Sequence, residues 1–180
     1  MLNNRINLKN VIKKKYDFII SSGYPYKITG DIITKFKNNI INLHATFLPW
    51  GKGIGTTFFS FLLFQPIGVS IHFINKKYDM GNIICRIRVK EKENDTTRSY
   101  YRRILSKLEK IFIKNSKKII NQNIASKNQK KFNVRPQYFS RDNFESIMRN
   151  LPNGYDTKLK DLSIHGAIIN HNIKFINYLK

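Results

Sequence analysis

Short apolar runs alternate with amphipathic segments between residues 16 and 90, and this alternation limits the choice of fold more than any other feature. Runs rich in Ile, Phe and Val predict buried β-strands, whereas apolar residues spaced three and four apart predict helices. The predicted strands are YDFIISSGY (16–24), NIINLHA (39–45), GVSIHFIN (68–75) and IICRIRVK (83–90). Strands that alternate with helices predict an α/β fold whose sheet is largely parallel and flanked by helices.

The longest predicted helix covers residues 95–124, where Asp95 or Thr96 is placed to cap the first turn. Its predicted buried stripe consists of Tyr101, Ile104, Leu105, Leu108, Ile111 and Phe112. Shorter helices are predicted in ITGDIITKFKN (28–38), TTFFSFLLF (56–64) and RDNFESIMRNL (141–151).

Three segments with chemically useful side chains follow predicted strands. Gly23 and Tyr24 end the first strand, and His44 lies at the end of the second. The loop 76–82 follows the third. Ligands collect at the carboxyl ends of strands in open α/β sheets, so we expect these segments to meet at one edge of the sheet.

The segment from Asn42 to Ile84 carries the groups that an acyl-transfer site uses. Asn42 and His44 are two positions apart in the run IINLH, so a strand places both side chains on one face. Asp79 follows in the turn-like stretch KKYDMGN. An amide can stabilise an oxyanion, an imidazole titrates near neutrality, and a carboxylate can orient the imidazole. Each of the three also has a purely structural alternative, as a residue that hydrogen-bonds a strand end or a turn.

Three motifs in this segment resemble those of the folate-dependent formyltransferases, which include the glycinamide ribonucleotide, methionyl-tRNA and nucleotide-sugar amine enzymes. The motifs are N-x-H-x-x-x-L-P-x-x-[KR]-G from residue 42, G-V-[ST]-I-H-F from residue 68 and D-x-G-[DN]-I-I from residue 79. The resemblance covers about residues 16–122 and implies a Rossmann-like formyltransferase fold. It also implies that the chain lacks the first βαβ units of that fold, because only 15 residues precede Tyr16.

The resemblance implies that Asn42, His44 and Asp79 are catalytic. Asn42 would donate to the developing oxyanion, and His44 would act as general acid–base near the formyl carbon. Asp79 would orient or charge-stabilise His44. We interpret His72, on the GVSIHFI strand, as a structural residue.

The implied co-substrate is 10-formyltetrahydrofolate, and no metal is implied. The pocket is expected between segments 22–28 and 75–79. Its residues, by resemblance, are Tyr24, Tyr26 and Ile28 on one side and Asn75, Lys76 and Tyr78 on the other. Lys52 and Gly53, in the LPWGKG loop, are expected to bind the acceptor, with water as the equal alternative partner for Lys52.

The expected acceptor is the amine of a nucleotide-linked amino sugar. The stretch WGKGIGTT after Pro49 departs from the arginine-rich, AAP-like sequence typical of the methionyl-tRNA enzymes, and the last 56 residues are too short for their β-barrel. Methionyl-tRNA formylation is one alternative. A truncated, non-catalytic remnant or a basic nucleic-acid-binding module is the other.

The net charge of +22 suits an acidic partner, but the basic residues are dispersed, and heavy use of Lys, Asn and Ile is an alternative cause. Cys85 is the single cysteine, which excludes an intrachain disulfide framework. No apolar run approaches the roughly 18 residues of a membrane span, so we expect a cytoplasmic protein. The expected organisation is a catalytic domain (1–124), a basic linker (125–136) and a small C-terminal tail (137–180).

Overall fold

A computed structural model describes residues 8–134 and 137–162. The helices in this part are α1 (Leu8–Lys13), α2 (Gly30–Phe36), α3 (Thr56–Leu62), α4 (Thr97–Ile120) and α5 (Arg141–Arg149). The strands are β1 (Ile19–Ser22), β2 (Ile40–His44), β3 (Lys52–Gly53), β4 (Gly68–Phe73), β5 (Ile83–Arg88) and β6 (Tyr138–Phe139). Short 3₁₀ turns cover Lys37–Asn39, Gln129–Phe132 and Gly154–Asp156. The predicted alternation of strands and helices, and with it the α/β class, is confirmed.

The main sheet has the strand order β1-β2-β4-β5. β1 and β2 are parallel, whereas β4 is antiparallel to both β2 and β5. The prediction of a largely parallel sheet is therefore wrong for these four strands. Residues 74–82 join β4 to β5 without a helix, and a parallel pair needs a crossover of a dozen or more residues. The connection between β2 and β4 is longer and permits either direction. Its length therefore does not predict whether β4 runs parallel or antiparallel to β2.

β2 separates two apolar clusters, because successive side chains of a strand point to opposite faces. Ile41 packs in the cluster that holds the buried faces of α3 and α4. Ile40 packs in the second cluster, with α1 and α2. Both isoleucines are completely buried. The sheet is thus covered on both faces at the strand that carries the predicted site.

α4 begins with a capping box in which Thr96 and Ser99 bond each other's backbone N–H groups, so Thr96 is the cap that the sequence suggested. The predicted stripe is partly wrong: Tyr101 and Leu105 are 45% and 41% exposed. Tyr100 is fully buried instead, and its hydroxyl donates to the carbonyl oxygen of Val89. That contact fixes the rotation of α4 about its axis. The spacing of the apolar residues alone does not decide whether Tyr100 or Tyr101 is the buried one.

The region after α4 contacts the sheet and the LPWGKG loop. Lys127 and Ile83 exchange backbone hydrogen bonds of 2.9 and 2.8 Å. β6 pairs in parallel with β3. The proposed boundaries of linker and tail remain predictions, and in the described part this region lies against the elements that hold the candidate site. Within the same residues, no helix has the length and apolar character needed to cross a membrane.

Candidate active site

β2 and the neighbouring end of β4 bring three polar side chains onto one face of the sheet. Asn42 and His44 lie on that face of β2, and the antiparallel register places His72 directly opposite Asn42. Nδ2 of Asn42 is 3.3 Å from Nε2 of His72. The rings of His44 and His72 meet edge to face, with centroids 5.8 Å apart.

Asp79 reaches this face from the loop between β4 and β5. Its backbone has a φ of 47°, which is uncommon for a residue other than glycine. One carboxylate oxygen lies 3.6 Å from Nε2 of His44, and the other lies 3.6 Å from Nε2 of His72. The backbone N–H of Gly53 donates to the first of these oxygens at 3.0 Å. The structure therefore brings together the three residues that the sequence proposed as catalytic, and their roles stay predictions.

His72 belongs to the same cluster, which sequence reasoning missed. Its Nδ1 lies 2.8 Å from the carbonyl oxygen of Phe73, which can only accept, so Nδ1 donates to it. Nε2 faces both the Asn42 amide and the Asp79 carboxylate, so it accepts from Asn42 when it carries no proton and donates to Asp79 when it does. The alignment of His72 with Asn42 depends on the antiparallel register, and the pattern GVSIHFI does not specify that register.

The His44 ring is oriented by its acceptors. Nε2 lies 3.4 Å from the carbonyl oxygen of Gly51 and 3.6 Å from Asp79. Both are acceptors, so Nε2 carries the proton of the neutral ring and Nδ1 is the basic nitrogen. Burial lowers the pKa of His44, and the Asp79 carboxylate opposes that effect. At neutral pH His44 is therefore uncharged, with a carboxylate beside it that would stabilise the protonated form.

Asp79 remains ionised although it is largely buried. Burial alone would raise its pKa, but the histidines His44 and His72 and the Gly53 amide together hold the pKa well below its usual range.

Within residues 8–134 and 137–162, no group of three or more His, Cys, Asp or Glu side chains is arranged to hold a metal ion.

Lys52 and Gly53, which are expected to bind the acceptor, lie beside the loop that carries Asp79, and their role stays a prediction. The Lys52 side chain is fully buried, with Nζ against the sulfur of Met80 and 5.9 Å from the centroid of the Tyr138 ring. Burial lowers the pKa of Lys52 to about 8, against the opposing effect of Asp79. Pairing of β3 with β6 turns the lysine inward, so both residues contact the loop that carries Asp79.

Gly53 has a φ of 96°, and a Cβ there would lie 2.3 Å from the carbonyl oxygen of Phe139. Only glycine fits this position, which is what lets the Gly53 N–H point at the Asp79 carboxylate.

The two predicted walls of the folate pocket lie next to each other. Nζ of Lys27 is 5.3 Å from the centroid of the Tyr78 ring, which links segment 22–28 to segment 75–79. Tyr24 and Tyr26 meet edge to face at 5.6 Å. The other residues proposed for the pocket divide by exposure: Asn75, Lys76 and Tyr78 are exposed and Ile28 is buried.

Ile28 packs in the apolar cluster with α2, so its side chain lies in the core and only its backbone remains for a ligand. The Asn75 carboxamide oxygen accepts from the backbone N–H of Lys77 at 2.9 Å, which shapes the start of the loop.

Comparisons with known proteins identify the family of the chain. The family model described as formyl transferase matches residues 2–115. The chloroplastic phosphoribosylglycinamide formyltransferase of Arabidopsis thaliana is 31% identical over 110 residues, which cover 57% of this chain and 38% of that protein. The chain thus spans well under half the length of this relative.

Two solved structures are similar over more of the chain. The formyltransferase PseJ from Anoxybacillus kamchatkensis, in complex with UDP-4,6-dideoxy-4-formamido-L-AltNAc and tetrahydrofolate, matches with a TM-score of 0.82 and 37% identity, covering 88% of this chain and 82% of that one. The N-formyltransferase from Helicobacter canadensis, in complex with folinic acid and dTDP-3-aminofucose, matches with a TM-score of 0.67 and 31% identity, covering 77% and 50%. The family match spans most of the chain and includes Asn42, His44 and Asp79, and the chain belongs to the formyl transferase family.

Proposed function

We propose that this chain transfers a formyl group from 10-formyltetrahydrofolate to a primary amine on a nucleotide-linked amino sugar. The observation that carries the proposal is the cluster of Asn42, His44 and Asp79 at the carboxyl end of β2. The two similar structures contain a folate together with a nucleotide sugar, which supports both the donor and the class of acceptor.

Asn42 is suited to stabilise the negative charge that develops on the formyl oxygen. Its amide nitrogen carries two hydrogens, and only one is directed at Nε2 of His72. The second remains to donate to the oxyanion. His72 in its neutral form holds the amide in place, because Nδ1 then carries the proton that is donated to the Phe73 carbonyl oxygen and Nε2 accepts from Asn42.

His44 is suited to move the proton. The bound folate supplies the formyl carbon and, on leaving, a nitrogen that takes a proton. Nδ1 of neutral His44 accepts the proton that the attacking amine loses as the new C–N bond forms. The proton then passes to the folate nitrogen as the old C–N bond breaks. Between these steps Asp79, 3.6 Å away, stabilises the imidazolium.

The residues at the proposed folate pocket fit a flat aromatic ligand. Tyr78, on the loop that carries Asp79, is 52% exposed, and Tyr26, in segment 22–28, is 39% exposed, so both present ring surface to a ligand. A nucleotide-linked sugar is favoured over tRNA because the positive charge is dispersed along the chain.

Binding is tested by calorimetry with 5-formyltetrahydrofolate, a stable mimic of the donor. We expect binding to the full chain, at least tenfold weaker binding to Tyr78→Ala, and unchanged binding to Tyr155→Ala, a matched control on another exposed tyrosine. No binding by a chain that melts cooperatively would overturn the proposal.

The acceptor is tested by offering 10-formyltetrahydrofolate with a panel of UDP- and dTDP-amino sugars or with methionyl-tRNA. We expect formylation of at least one sugar and none of the tRNA. Formylation of the tRNA alone would replace the acceptor, whereas formylation of neither by a folate-binding chain would favour a non-catalytic role.

A further inference from the structure

A buried glutamine beyond α4 contacts the loop that carries Asp79. Gln129 lies in the 3₁₀ turn Gln129–Phe132 and is 3% exposed. Its Nε2 donates to the carbonyl oxygens of Asp79 and Gly81, at 2.8 Å each. A carboxamide nitrogen has two hydrogens, so both donors of Gln129 are used on one short stretch of the loop.

The backbone of this stretch adopts a conformation that is unfavourable without contacts from outside it. Asp79 has a φ of 47°, outside the regions that most residues occupy. Gly81 passes so near the end of β4 that a Cβ would lie 1.7 Å from the carbonyl oxygen of Phe73. An unusual conformation of this kind persists only where surrounding contacts impose it.

The turn that carries Gln129 is itself anchored next to the loop. Lys127 and Ile83 exchange two backbone hydrogen bonds, so the segment is attached where the loop enters β5. Gln129 then reaches across to Asp79 and Gly81 from an attachment point outside the loop. The family match ends at residue 115, so this support comes from a part of the chain beyond the matched region.

We propose that Gln129 is a positioning residue, which holds the backbone of Asp79 so that its carboxylate faces His44 and the N–H of Gly53. The proposal rests on the proposed function, since it assigns Gln129 a part in catalysis through Asp79. It acts on the loop backbone and has no contact with the reacting atoms.

The position of the Asp79 carboxylate can be measured without an activity assay. The N–H of Gly53 donates to the Asp79 carboxylate, whereas the N–H groups of Lys52 and Ile54, on either side, donate to backbone oxygens of Gln137 and Phe139. If Asp79 moves, the Gly53 amide alone loses its acceptor. Hydrogen exchange of these three neighbouring amides therefore separates a shift of Asp79 from a loosening of β3.

The first experiment compares Gln129→Met, which keeps the length of the side chain and removes its donors, with Gln122→Met. Gln122 also follows α4, but it is exposed and its amide donates to the side chain of Asn39, away from the Asp79 loop and from β3. We expect the Gly53 amide to exchange at least about tenfold faster in Gln129→Met, with less than about twofold change at Lys52 and Ile54. Gln122→Met should leave Gly53 unchanged relative to its neighbours.

Unchanged exchange at Gly53 in Gln129→Met would overturn the proposal. Equal acceleration of all three amides would also overturn it, because Gln129 would then support β3 in general and not Asp79. Asp79→Ala gives the exchange rate of a Gly53 amide that has no acceptor, which sets the upper limit of the effect.

The second experiment measures turnover. Gln129→Met should lower kcat by about tenfold or more and leave KM for the folate within about twofold, because Gln129 bonds Asp79 and Gly81 and none of the residues proposed for the folate pocket. In an Asp79→Asn background the same change should lower kcat by less than about twofold, since a residue that acts through Asp79 has nothing left to position. Full additivity of the two effects would refute the proposal. Near-normal turnover of Asp79→Asn itself would instead refute the catalytic role of Asp79, while the exchange experiment still judges Gln129.

Discussion

Oδ2 of Asp79 lies 3.6 Å from Nε2 of His44, and both side chains are largely buried. Burial lowers the pKa of His44, while the carboxylate raises it. The neutral ring is thus the resting form, and a charged ring would find a carboxylate already in place. The arrangement costs little reorganisation when a proton arrives, as expected of a group that holds a proton briefly during a reaction.

Replacing His44 by Ala should lower kcat by about 10²–10⁴, the range for lost general acid–base catalysis. Folate affinity should stay within about threefold, because the pocket walls lie on other segments. Steady-state kinetics and calorimetry with 5-formyltetrahydrofolate provide the two measurements. A variant with near-normal kcat would remove His44 from the mechanism.

Replacing Asn42 by Ala should lower kcat by on the order of 10²–10³ through the lost donor to the oxyanion. Asn115 is a matched control, since it is also half-buried but its amide donates to the carbonyl oxygen of Ile111 within α4. Asn115→Ala should leave kcat within about twofold. Equal losses in both variants would indicate a general effect on folding.

The acid limb of the pH–rate profile should lie below pH 6.5, the ordinary pKa of histidine, because burial lowers the pKa of His44. Activity that needs the neutral ring is then kept as the pH falls through 6.5 and is lost at a lower pH. Asp79→Asn removes the group that raises this pKa, so the limb should move to still lower pH while the maximal rate falls. A limb that moves to higher pH would contradict the assignment. The measurement is the pH dependence of kcat/KM, because it reports the pKa values of groups in the free enzyme.

Lys52 should make the protein more stable as the pH rises above neutrality. Its pKa in the folded protein is about 8, below the roughly 10.4 of an unfolded chain. Between these values the unfolded chain binds the proton and the folded one does not, so the free energy of unfolding rises, by on the order of 1–3 kcal/mol. Urea unfolding at pH 7.5 and pH 10 should show this rise in the natural chain and a smaller rise in Lys52→Met. Identical rises in both would show that Lys52 does not titrate in this way.

Gly81→Ala should destabilise the protein by about 1–3 kcal/mol or displace the Asp79 loop, since its Cβ would meet the Phe73 carbonyl oxygen at 1.7 Å. Turnover should fall with it. Gly30→Ala is the control: apart from its chain neighbours and the backbone of its own helix, no atom lies within 4 Å of a Cβ at that position, so the change should be neutral or stabilising by up to about 1 kcal/mol. Thermal unfolding distinguishes the two, and equal melting temperatures would contradict the close approach at Gly81.

The strands and helices could be predicted because their apolar periodicity is local. The Asn42 and His44 pair could be predicted as well, since two residues on one strand share a face. The role of His72 could not, because it depends on the direction in which β4 runs against β2. The burial of the Lys52 side chain could not be predicted either, because it depends on the pairing of β3 with β6, which is far along the chain.

The pairing of β3 with β6 also has a consequence for biosynthesis. A ribosome that has released the chain through α4 has already released Asn42, His44 and Asp79. The segment that carries Gln129 and β6 emerges afterwards, and only then can Lys52 and Gly53 take the positions that support Asp79. A nascent chain that has emerged only as far as residue 124 would therefore contain every proposed catalytic group but lack Gln129 and β6, which support the Asp79 loop directly and through β3.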